Sequence, residues 1–354
     1  MEKIKVAVIG CGTIAQSGHI PMYDKNPVAE IKYLVDVNKE RAEELAKKYN
    51  VPYVTSDYRD MLKDEEVTAV SICTPNSSHA HIAIDCLDAG KNVLCEKPAA
   101  VNFEQVLQMK EAADRNGKIL NIGVVNRYST AVNKIKEFID RGELGKICHI
   151  YCSFRAHRSI PGLGGQFTTK AISGGGVLID WGVHYLDLVF YCIRSPEILT
   201  VSGGISGELG KDMKNYSYLG MWAGPPNYNG TFDVEDLVSG YIRTRGPSIS
   251  LNGAWAQNIG EAATFIEFLG DKAGIKLQYG GDFKIYTADK GVLYEITPSF
   301  QKRDMFYDEI DDFLKSVAEG KKTRSNIDNV LTVAQVMDAL YKSAELGREV
   351  VLHE

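Results

Sequence analysis

The sequence predicts an α/β protein of two domains: a doubly wound parallel sheet, followed by an α+β domain with a large open, mostly antiparallel sheet. The chain's 354 residues are enough for two separate cores. Residues 1–125 alternate short apolar runs with amphipathic stretches, which indicates repeated βα units and hence a parallel sheet. From 197 to 297 strand signals dominate and are broken by Gly, Asn and Pro turns, which favours antiparallel pairing.

Individual elements follow from the same patterns. Residues Lys39 to Tyr49 have the apolar spacing of a helix, and the apolar stretch from Val177 to Ile193 is too long for a strand and is expected to be a buried helix. We place the domains at 1–125 and 126–354, with the C-terminal helix packing back on the first domain. The other expected strands are 4–9, 31–35, 67–73, 92–95, 119–125 and 147–155, and the other expected helices are 131–141, 304–319 and 327–346, the last capped by Gly347.

The composition argues against several classes of protein. A net charge of −6 lacks the basic footprint of a nucleic-acid binder, and no uninterrupted apolar run approaches the 18 residues of a transmembrane helix. Seven cysteines, most of them inside apolar runs and none in a CxxC pair, favour reduced buried thiols over disulfides or zinc. No signal-peptide pattern precedes the first predicted strand. We therefore expect a cytoplasmic protein with no metal, no membrane partner and no nucleic-acid partner.

A glycine-rich turn directly follows the first predicted strand. Gly10, Gly12 and Ala15 form a G-x-G-x-x-A pattern. Gly10 permits the tight turn, Gly12 lets the backbone approach a pyrophosphate, and Ala15 lets the helix pack close to the strand. The N–H groups that open this helix, including those of Thr13 and Ile14, would face the phosphates. With a strand before it and a helix after it, this turn predicts a Rossmann dinucleotide site.

Asp36 ends the second predicted strand, where an acidic side chain would hydrogen-bond the adenosine ribose. A carboxylate there repels a 2′-phosphate, and no Arg or Lys follows immediately, so the sequence favours NAD over NADP. The alternative is an ordinary Asp that caps the next helix. Further cofactor contacts are expected at the ends of the predicted strands 67–73 and 92–95, because the carboxyl ends of parallel strands border the ligand. They are Thr74, Pro75, Asn76, His79, Glu96 and Lys97.

Lys97 is the first candidate catalytic residue. It lies in Cys95-Glu96-Lys97-Pro98, where the fifth strand ends beside the expected nicotinamide. Its ammonium can hydrogen-bond a reacting hydroxyl and stabilise alkoxide-like charge as hydride leaves. The alternative is a solvated surface lysine, and the strand-end position argues against it.

Asp180 and His184 are the other two catalytic candidates. They are four residues apart on the predicted buried helix, so they share one face of it. Two ionisable groups in an otherwise apolar helix need a reason, and an imidazole titrates in the range that suits a general base. The alternatives are a structural Asp–His pair, or Asp187 in place of either residue. A metal site is disfavoured because the pair lacks an evident third ligand.

These motifs together resemble the Gfo/Idh/MocA oxidoreductases, the glucose-fructose oxidoreductase and inositol dehydrogenase group. The resemblance covers nearly the whole chain. It implies hydride transfer between nicotinamide C4 and a carbohydrate or cyclitol carbon, with Lys97, Asp180 and His184 acting together. It also implies a homo-oligomer, a dimer or tetramer, formed through the open sheet. The resemblance also adds Asn126 to the expected cofactor contacts. The residues that carry the resemblance are GCGTIA at 10–15, CTPN at 73–76, CEKP at 95–98, Asn126-Arg127, GGGVLIDWGVHYLD at 174–187, Val234-Glu235-Asp236 and SAELGR at 343–348.

The expected activity is that of an NAD(P)-dependent dehydrogenase acting on CH–OH groups. It would oxidise a secondary ring hydroxyl of a sugar, glycoside or cyclitol to a ketone. A roomy aromatic pocket would suit a glycoside, and the resemblance to the family, not any residue, implies oxidation at C3. The aromatic-rich segment 207–232 is either such a pocket wall or a subunit contact. Besides the three catalytic candidates, the expected substrate contacts are Arg127, Tyr128, Arg155, Arg158 and Trp181, with a merely charged loop as the alternative for Arg155 and Arg158.

Two other functions would use the same sequence features. A glycoside hydrolase or lyase that uses NAD transiently would oxidise its substrate, eliminate the aglycone and reduce the product again with the same residues. A non-catalytic nucleotide-binding regulator has no need of a proton acceptor, so the set of Lys97, Asp180 and His184 argues against it.

Overall fold

The computed structural model describes residues 3–353, which form two compact units. The first unit contains the residues up to Tyr128 together with Arg303–Leu331, and the second contains Ser129–Lys302 together with the residues from Thr332 onward. The segment 303–331 therefore clusters with the first unit, although it lies inside the predicted domain 126–354. Its helix joins the first core through Ile310, Phe313 and Leu314.

The first unit is built on a six-stranded sheet in the order β3-β2-β1-β4-β5-β6, with every neighbouring pair parallel. This order places the carboxyl ends of β1, β4 and β5 side by side. A parallel sheet of this kind was predicted, and the structure confirms it. The strands are β1 (Ile4–Ile9), β2 (Ala29–Val35), β3 (Tyr53–Thr55), β4 (Val67–Ile72), β5 (Asn92–Glu96) and β6 (Leu120–Gly123).

The second unit is built on a nine-stranded sheet in the order β14-β13-β12-β11-β7-β10-β9-β8-β15. Within the described residues only β7 and β10 pair in parallel, so the predicted mostly antiparallel sheet is also confirmed. The strands are β7 (Ile147–Arg155), β8 (Ile198–Ser206), β9 (Leu237–Thr244), β10 (Ser248–Ala254), β11 (Ala263–Gly270), β12 (Ala273–Gln278), β13 (Phe283–Asp289), β14 (Val292–Ile296) and β15 (Val350–Val351).

The helices begin and end at residues suited to those positions. Asn38 accepts a hydrogen bond from the Arg41 amide at the start of α2, and Asn50 adopts the left-handed conformation that ends it. Asp304 and Gly320 do the same for α10. The helices are α1 (Ile20–Lys25), α2 (Lys39–Tyr49), α3 (Tyr58–Leu62), α4 (Asn76–Asp88), α5 (Phe103–Asn116), α6 (Thr130–Asp140), α7 (Lys170–Ser173), α8 (Val183–Ile193), α9 (Glu208–Lys211), α10 (Met305–Glu319) and α11 (Leu331–Leu346).

Two wide π-helical turns precede α1 and α8, at Ala15–His19 and Leu178–Gly182. Shorter 3₁₀ turns lie at Val125–Tyr128, Gln166–Thr168 and Ile327–Asn329. By length and composition, the helical segment Lys170–Ile193 is the one in the described part of the chain that is apolar enough to cross a membrane. However, 78% of its apolar window is buried, and the core helices of soluble proteins pass the same test. We read it as the core helix of the second unit, where α8 packs with α6 and β7 in a core to which α11 also contributes.

Candidate active site

The turn after β1 has the geometry that its glycines predict. Gly10 has a φ of +88°, and a Cβ on it would lie 2.5 Å from the carbonyl oxygen of Cys73, so only glycine fits there. A Cβ on Gly12 would meet no described atom within 4 Å. The space beside Gly12 is therefore open to a ligand, and the helix that begins at Thr13 presents its first N–H groups there.

Asp36 is buried at the end of β2, and its carboxylate accepts four hydrogen bonds. Two come from the amides of Cys11 (2.7 Å) and Asn38 (2.8 Å), and two come from the Nε and Nη2 atoms of Arg41 (3.2 and 2.8 Å). Burial alone raises the pKa of Asp36, but these donors outweigh it and hold the pKa below its usual range. Asn38, not Asp36, caps α2. Arg41 was not predicted as a partner of Asp36, although its place five residues further on, in the first turn of α2, was a usable signal.

His79 connects the ends of β4 and β5. Its Nδ1 lies 2.8 Å from the carbonyl oxygen of Pro98, and its Nε2 lies 2.8 Å from that of Thr74. Burial lowers the pKa of His79 although both carbonyls oppose this shift. His79 was predicted as a cofactor contact, but its side chain is only 1% exposed and both ring nitrogens face backbone carbonyls, so we correct its role to fixing the Thr74 and Pro98 segments against each other. His81, by contrast, is exposed.

Glu96, the residue before Lys97, belongs to a buried network that the sequence did not reveal. Its Oε1 lies 2.8 Å from Nε2 of His19, and its Oε2 accepts a hydrogen bond from the Lys97 amide (3.1 Å). Burial alone raises the pKa of Glu96, but the hydrogen bond from His19 and the proximity of Lys97 hold it below its usual range. The network continues from His19 Nδ1 to the Ser71 hydroxyl (3.1 Å), and from there to Tyr23 (2.7 Å).

These contacts fix the backbone that carries Lys97. Lys97 itself is half-buried, and its peptide bond to Pro98 is cis. Glu96 was predicted as a cofactor contact, but its carboxylate faces His19 and the Lys97 amide. The structure therefore gives Glu96 a supporting role beneath Lys97.

The predicted substrate contacts Arg127 and Tyr128 have structural partners within the first unit. Arg127 is 1% exposed, and its guanidinium donates to the carbonyl oxygens of Arg324 and Asn329. Tyr128 is also buried, and its hydroxyl donates to Asp312 (2.7 Å) and is hydrogen-bonded with Ser325 (3.0 Å). A buried ring cannot stack on a sugar, so we correct both predictions to roles in holding 303–331. Their neighbour Asn126 is half-buried on the same 3₁₀ turn.

In the second unit, each of the three glycines before the Asp180 helix has a distinct role. Gly174 has a φ of +84° and ends α7. A Cβ on Gly175 would lie 2.1 Å from the Tyr341 hydroxyl, and one on Gly176 would lie 1.8 Å from the carbonyl oxygen of Glu235. Glycine therefore lets the helix start approach Tyr341 and Glu235.

Asp180 and His184 lie on this helix, but its geometry is not regular. Asp180 sits in the π turn and is 9% exposed, and its Oδ2 accepts a hydrogen bond from the indole Nε1 of Trp255 (3.2 Å). His184 is half-buried at the start of α8, 6.2 Å from the ring of Tyr279 between centroids. Trp255 and Tyr279 are partners that the sequence analysis missed. Isolated π turns are rare and are frequent at functional sites.

The remaining predicted substrate residues have different settings. Arg155 is half-buried where β7 ends, and its Nε donates to Ser153 (3.3 Å). Arg158 donates to the carbonyl oxygens of His157 and Gln257, so its guanidinium ties two loops together. Trp181 is partly buried at the edge of the core. Of the two arginines, Arg155 is thus the one that we retain for substrate contact.

The aromatic segment 207–232 packs on residues 160–168 of the same unit. The Asn227 amide donates to the Leu163 carbonyl (2.7 Å), and the ring of Trp222 lies 5.2 Å from that of Phe167. Trp222 is nevertheless 55% exposed. Among all the described residues, no group of three or more His, Cys, Asp or Glu side chains is arranged to hold a metal ion.

The class of protein follows from these features. The first unit has a Rossmann sheet with a glycine-rich turn and with Asp36 held at the end of β2, and the second unit has Asp180 and His184 on one helix. Together they define a nicotinamide-dependent oxidoreductase. Family models agree. Residues 4–124 match the oxidoreductase family with an NAD-binding Rossmann fold, and residues 132–276 match the GFO/IDH/MocA C-terminal domain. The chain belongs to this family, and its first unit is an NAD-binding domain.

Relatives of known name cover nearly the whole chain. D-glucoside 3-dehydrogenase of Escherichia coli is 30% identical over 99% of this chain and 97% of its own length. Levoglucosan dehydrogenase of Pseudarthrobacter phenanthrenivorans is 25% identical over 97% of each chain. The fold is also that of a levoglucosan dehydrogenase solved with NADH and levoglucosan, with a TM-score of 0.84, 24% identity and full coverage of both chains.

Proposed function

We propose that this oxidoreductase converts a secondary ring hydroxyl of a sugar, glycoside or cyclitol to a ketone, with C3 of a glycoside as the most specific form. The observation that carries the proposal is the pair Asp180 and His184 on one buried helix, with Asp180 held by Trp255. A protein that only binds nucleotides needs no such pair. The names of the relatives, D-glucoside 3-dehydrogenase and levoglucosan dehydrogenase, support a carbohydrate hydroxyl.

Residues of the first unit would bind NAD, and the open space beside Gly12 and the anchored Asp36 fit this cofactor. When bound, NAD supplies the acceptor for hydride. Gly10, Gly12, Thr13 and Ile14 would hold the pyrophosphate and Asp36 the ribose. Thr74, Pro75, Asn76 and Asn126 would complete the cofactor contacts.

Three side chains would handle the substrate hydroxyl. His184 would accept its proton, Lys97 would donate a hydrogen bond to its oxygen and stabilise the developing negative charge, and Asp180 would orient the ring. Arg155 and Trp181 are the further residues that we assign to substrate binding. Positioned acid–base groups of this kind typically contribute about 10²- to 10⁴-fold in rate.

We further propose a cytoplasmic homo-oligomer, a dimer or tetramer, with neither a membrane nor a nucleic acid as partner. The support for the oligomer is the outward face of the second sheet, which presents exposed aromatic side chains such as Tyr151 and Tyr241. The net charge of −6 supports the absence of nucleic acid.

A substrate panel tests the proposed activity. Free sugars, α- and β-glucosides, anhydrosugars and inositols are incubated with NAD or NADP while NADH or NADPH and any released aglycone are measured. We expect NADH to accumulate with the glycoside intact, and NAD to be preferred. Aglycone release without net NADH would replace the proposal by redox-assisted cleavage, and NAD binding without turnover of any compound would favour a regulator.

His184→Ala tests the assigned proton acceptor. We expect kcat to fall by about 10²- to 10⁴-fold while NADH binding, followed by fluorescence titration, changes little. His353→Ala is the matched control, because His353 is an exposed histidine of the same unit and lies next to Glu197 at its surface. A His184→Ala enzyme that keeps its turnover would place the base elsewhere.

A further inference from the structure

The start of the helix that carries Asp180 and His184 is held by one residue, Glu235, which immediately precedes Asp236 and β9. The carboxylate of Glu235 accepts hydrogen bonds from the amides of Gly176 (2.9 Å) and Leu178 (3.0 Å). Its backbone carbonyl accepts a third from the Val177 amide (3.1 Å). The first amides of a helix have no partner within the helix, so Glu235 satisfies them from a distant part of the chain.

The surroundings are shaped to this residue. The close approach of Glu235 and Tyr341 leaves no room for a Cβ on Gly176 or Gly175. The Tyr341 hydroxyl donates to Oε1 of Glu235 (2.8 Å). Glu235 is only 5% exposed, and burial raises its pKa although these donors oppose the shift. A buried carboxylate is unfavourable unless it is fully hydrogen-bonded, and this one is surrounded by donors from the helix start.

The next residue along the chain leads to Asp180 itself. The carbonyl oxygen of Asp236 accepts a hydrogen bond from the Trp255 amide (2.9 Å), and the indole of Trp255 donates to the carboxylate of Asp180 (3.2 Å). Trp255 is fully buried. Residues 235 and 236 therefore act through two separate paths. Glu235 fixes the helix start directly, and the backbone carbonyl of Asp236 fixes Trp255, which holds the Asp180 side chain.

We propose that Glu235 is a positioning residue for the catalytic helix and that Trp255 is the positioning residue for the Asp180 carboxylate. This inference rests on the proposed function, because it takes Asp180 and His184 to be the catalytic pair. Glu235 itself takes no part in the chemistry. Without the carboxylate, the amides of Gly176 and Leu178 lose their acceptors and the helix start shifts or frays. Displacing a reacting group by about 1 Å can reduce turnover by about 10²-fold.

The chain offers a matched control in the neighbouring acid. The side chain of Asp236 is also buried, but it accepts from a backbone amide of α9, that of Gly210 (2.7 Å). The contact of Asp236 with Trp255 uses the backbone carbonyl, which a change of the side chain leaves in place. Glu235→Gln retains the size of the side chain and turns one oxygen into an NH₂ group that cannot accept. Asp236→Asn makes the same chemical change one residue away.

Turnover, KM for NAD and amide hydrogen exchange are measured for both variants. For Glu235→Gln we expect kcat to fall by about 10- to 100-fold, KM for NAD to stay within about 2-fold, and exchange to accelerate at 176–184. For Asp236→Asn we expect kcat within about 2-fold of wild type and faster exchange confined to 207–211. Trp255→Phe, which removes the donor to Asp180, should reproduce the fall in kcat without the faster exchange.

Two results would overturn the inference: wild-type kcat in Glu235→Gln, or an equal fall in Asp236→Asn, which would indicate a general loss of stability. If Glu235→Gln does not fold, Tyr341→Phe removes only one donor to Glu235, and an unchanged kcat there overturns it. A wild-type enzyme that oxidises no compound in the panel refutes the proposed function instead. In that case hydrogen exchange at 176–184 still decides whether Glu235 anchors the helix, and unchanged exchange refutes the anchoring.

Discussion

Among single residues, Asp36 is the one that we expect to have the most direct effect on which cofactor the enzyme uses. Its carboxylate accepts hydrogen bonds from two backbone amides, which fix its orientation at the end of β2. The sequence argument for NAD relied on the absence of a basic residue directly after Asp36. The structure brings Arg41 back from the first turns of α2, with its side chain 41% exposed. At the proposed ribose site Asp36 would therefore repel a 2′-phosphate, and it also holds the guanidinium of Arg41.

Replacing Asp36 should release Arg41 for a phosphate. In Asp36→Asn the amide oxygen can still accept from the Cys11 amide, but the negative charge is lost. We expect kcat/KM with NAD to fall by about 10-fold and that with NADP to rise by about 10- to 100-fold, since a charge-assisted hydrogen bond contributes about 1.5–3 kcal/mol. Initial rates with both cofactors measure this.

The double variant Asp36→Asn/Arg41→Ala is the control for that change in cofactor preference. It should keep the weakened use of NAD and lose the gain with NADP. A gain that persists in the double variant would show that Arg41 is not the phosphate ligand.

The candidate residues and their partners differ in how far the sequence can predict them. Lys97, Asp180 and His184 were named because each has a local signal: a strand end, or a helical spacing in an apolar segment. Their supports have no such signal. His19 is 77 residues from Glu96, and Trp255 is 75 residues from Asp180, so only the folded chain brings them together. Tyr128 was expected to contact the substrate for a similar reason: its aromatic side chain is visible in the sequence, but its burial depends on residues far along the chain.

Among the secondary structure elements, the regular ones were predictable and the irregular ones were not. The strands 4–9 and 147–155 and the helix 39–49 have the predicted bounds, because their apolar periods persist from end to end. β3 was missed, since three residues cannot establish a period. The π turns at Ala15–His19 and Leu178–Gly182 were also missed, because one extra residue in a turn hardly changes a pattern with a period of 3.6.

The first π turn ends in His19, whose loss should destabilise the first unit. His19→Ala would leave the buried Glu96 carboxylate without its strongest partner, and breaking a buried pair in this way typically costs about 3–5 kcal/mol. We expect the free energy of unfolding of the first unit to fall by that order in urea denaturation. His81→Ala, on an exposed face of the same unit, should change it by less than about 0.5 kcal/mol.

The pH dependence of that loss has a definite sign. The pKa of Glu96 in the folded protein lies below its unfolded value of about 4.3, so this group contributes stability that is present above that pH and is lost as pH falls through the folded pKa. Without His19, burial raises the folded pKa of Glu96 above its unfolded value and the sign reverses: the buried carboxylate then costs stability as pH rises through that window, so the deficit of the variant relative to wild type grows with pH. Unfolding curves between about pH 4 and pH 7 would contradict this if wild type and variant lost stability in parallel.

For the whole molecule, the second sheet leaves one face without a cover from its own unit. Along β7 the side chains of Ile150, Cys152 and Phe154 are buried against the core, while Tyr151 on the opposite face is 44% exposed. Tyr241 lies on the same face through the register of β9, β10 and β7. The sequence did not predict this surface. The alternation of side chains marks a strand, but it does not show whether the outward residues face water or another subunit.

If this outward face is the contact between subunits, two charges on it should separate them. Tyr151→Glu/Tyr241→Glu would place carboxylates opposite their own copies in a twofold interface, where like charges repel and aromatic burial is lost. We expect light scattering to show an oligomer for the wild type and a monomer for the variant, with the same helix content by circular dichroism. Tyr53→Glu, at an exposed tyrosine of the first unit, should remain an oligomer. A monomeric wild type would refute the oligomer. A variant that still assembles would show that the subunits meet through another surface. The exposed Trp222 in 207–232 would then be tested next.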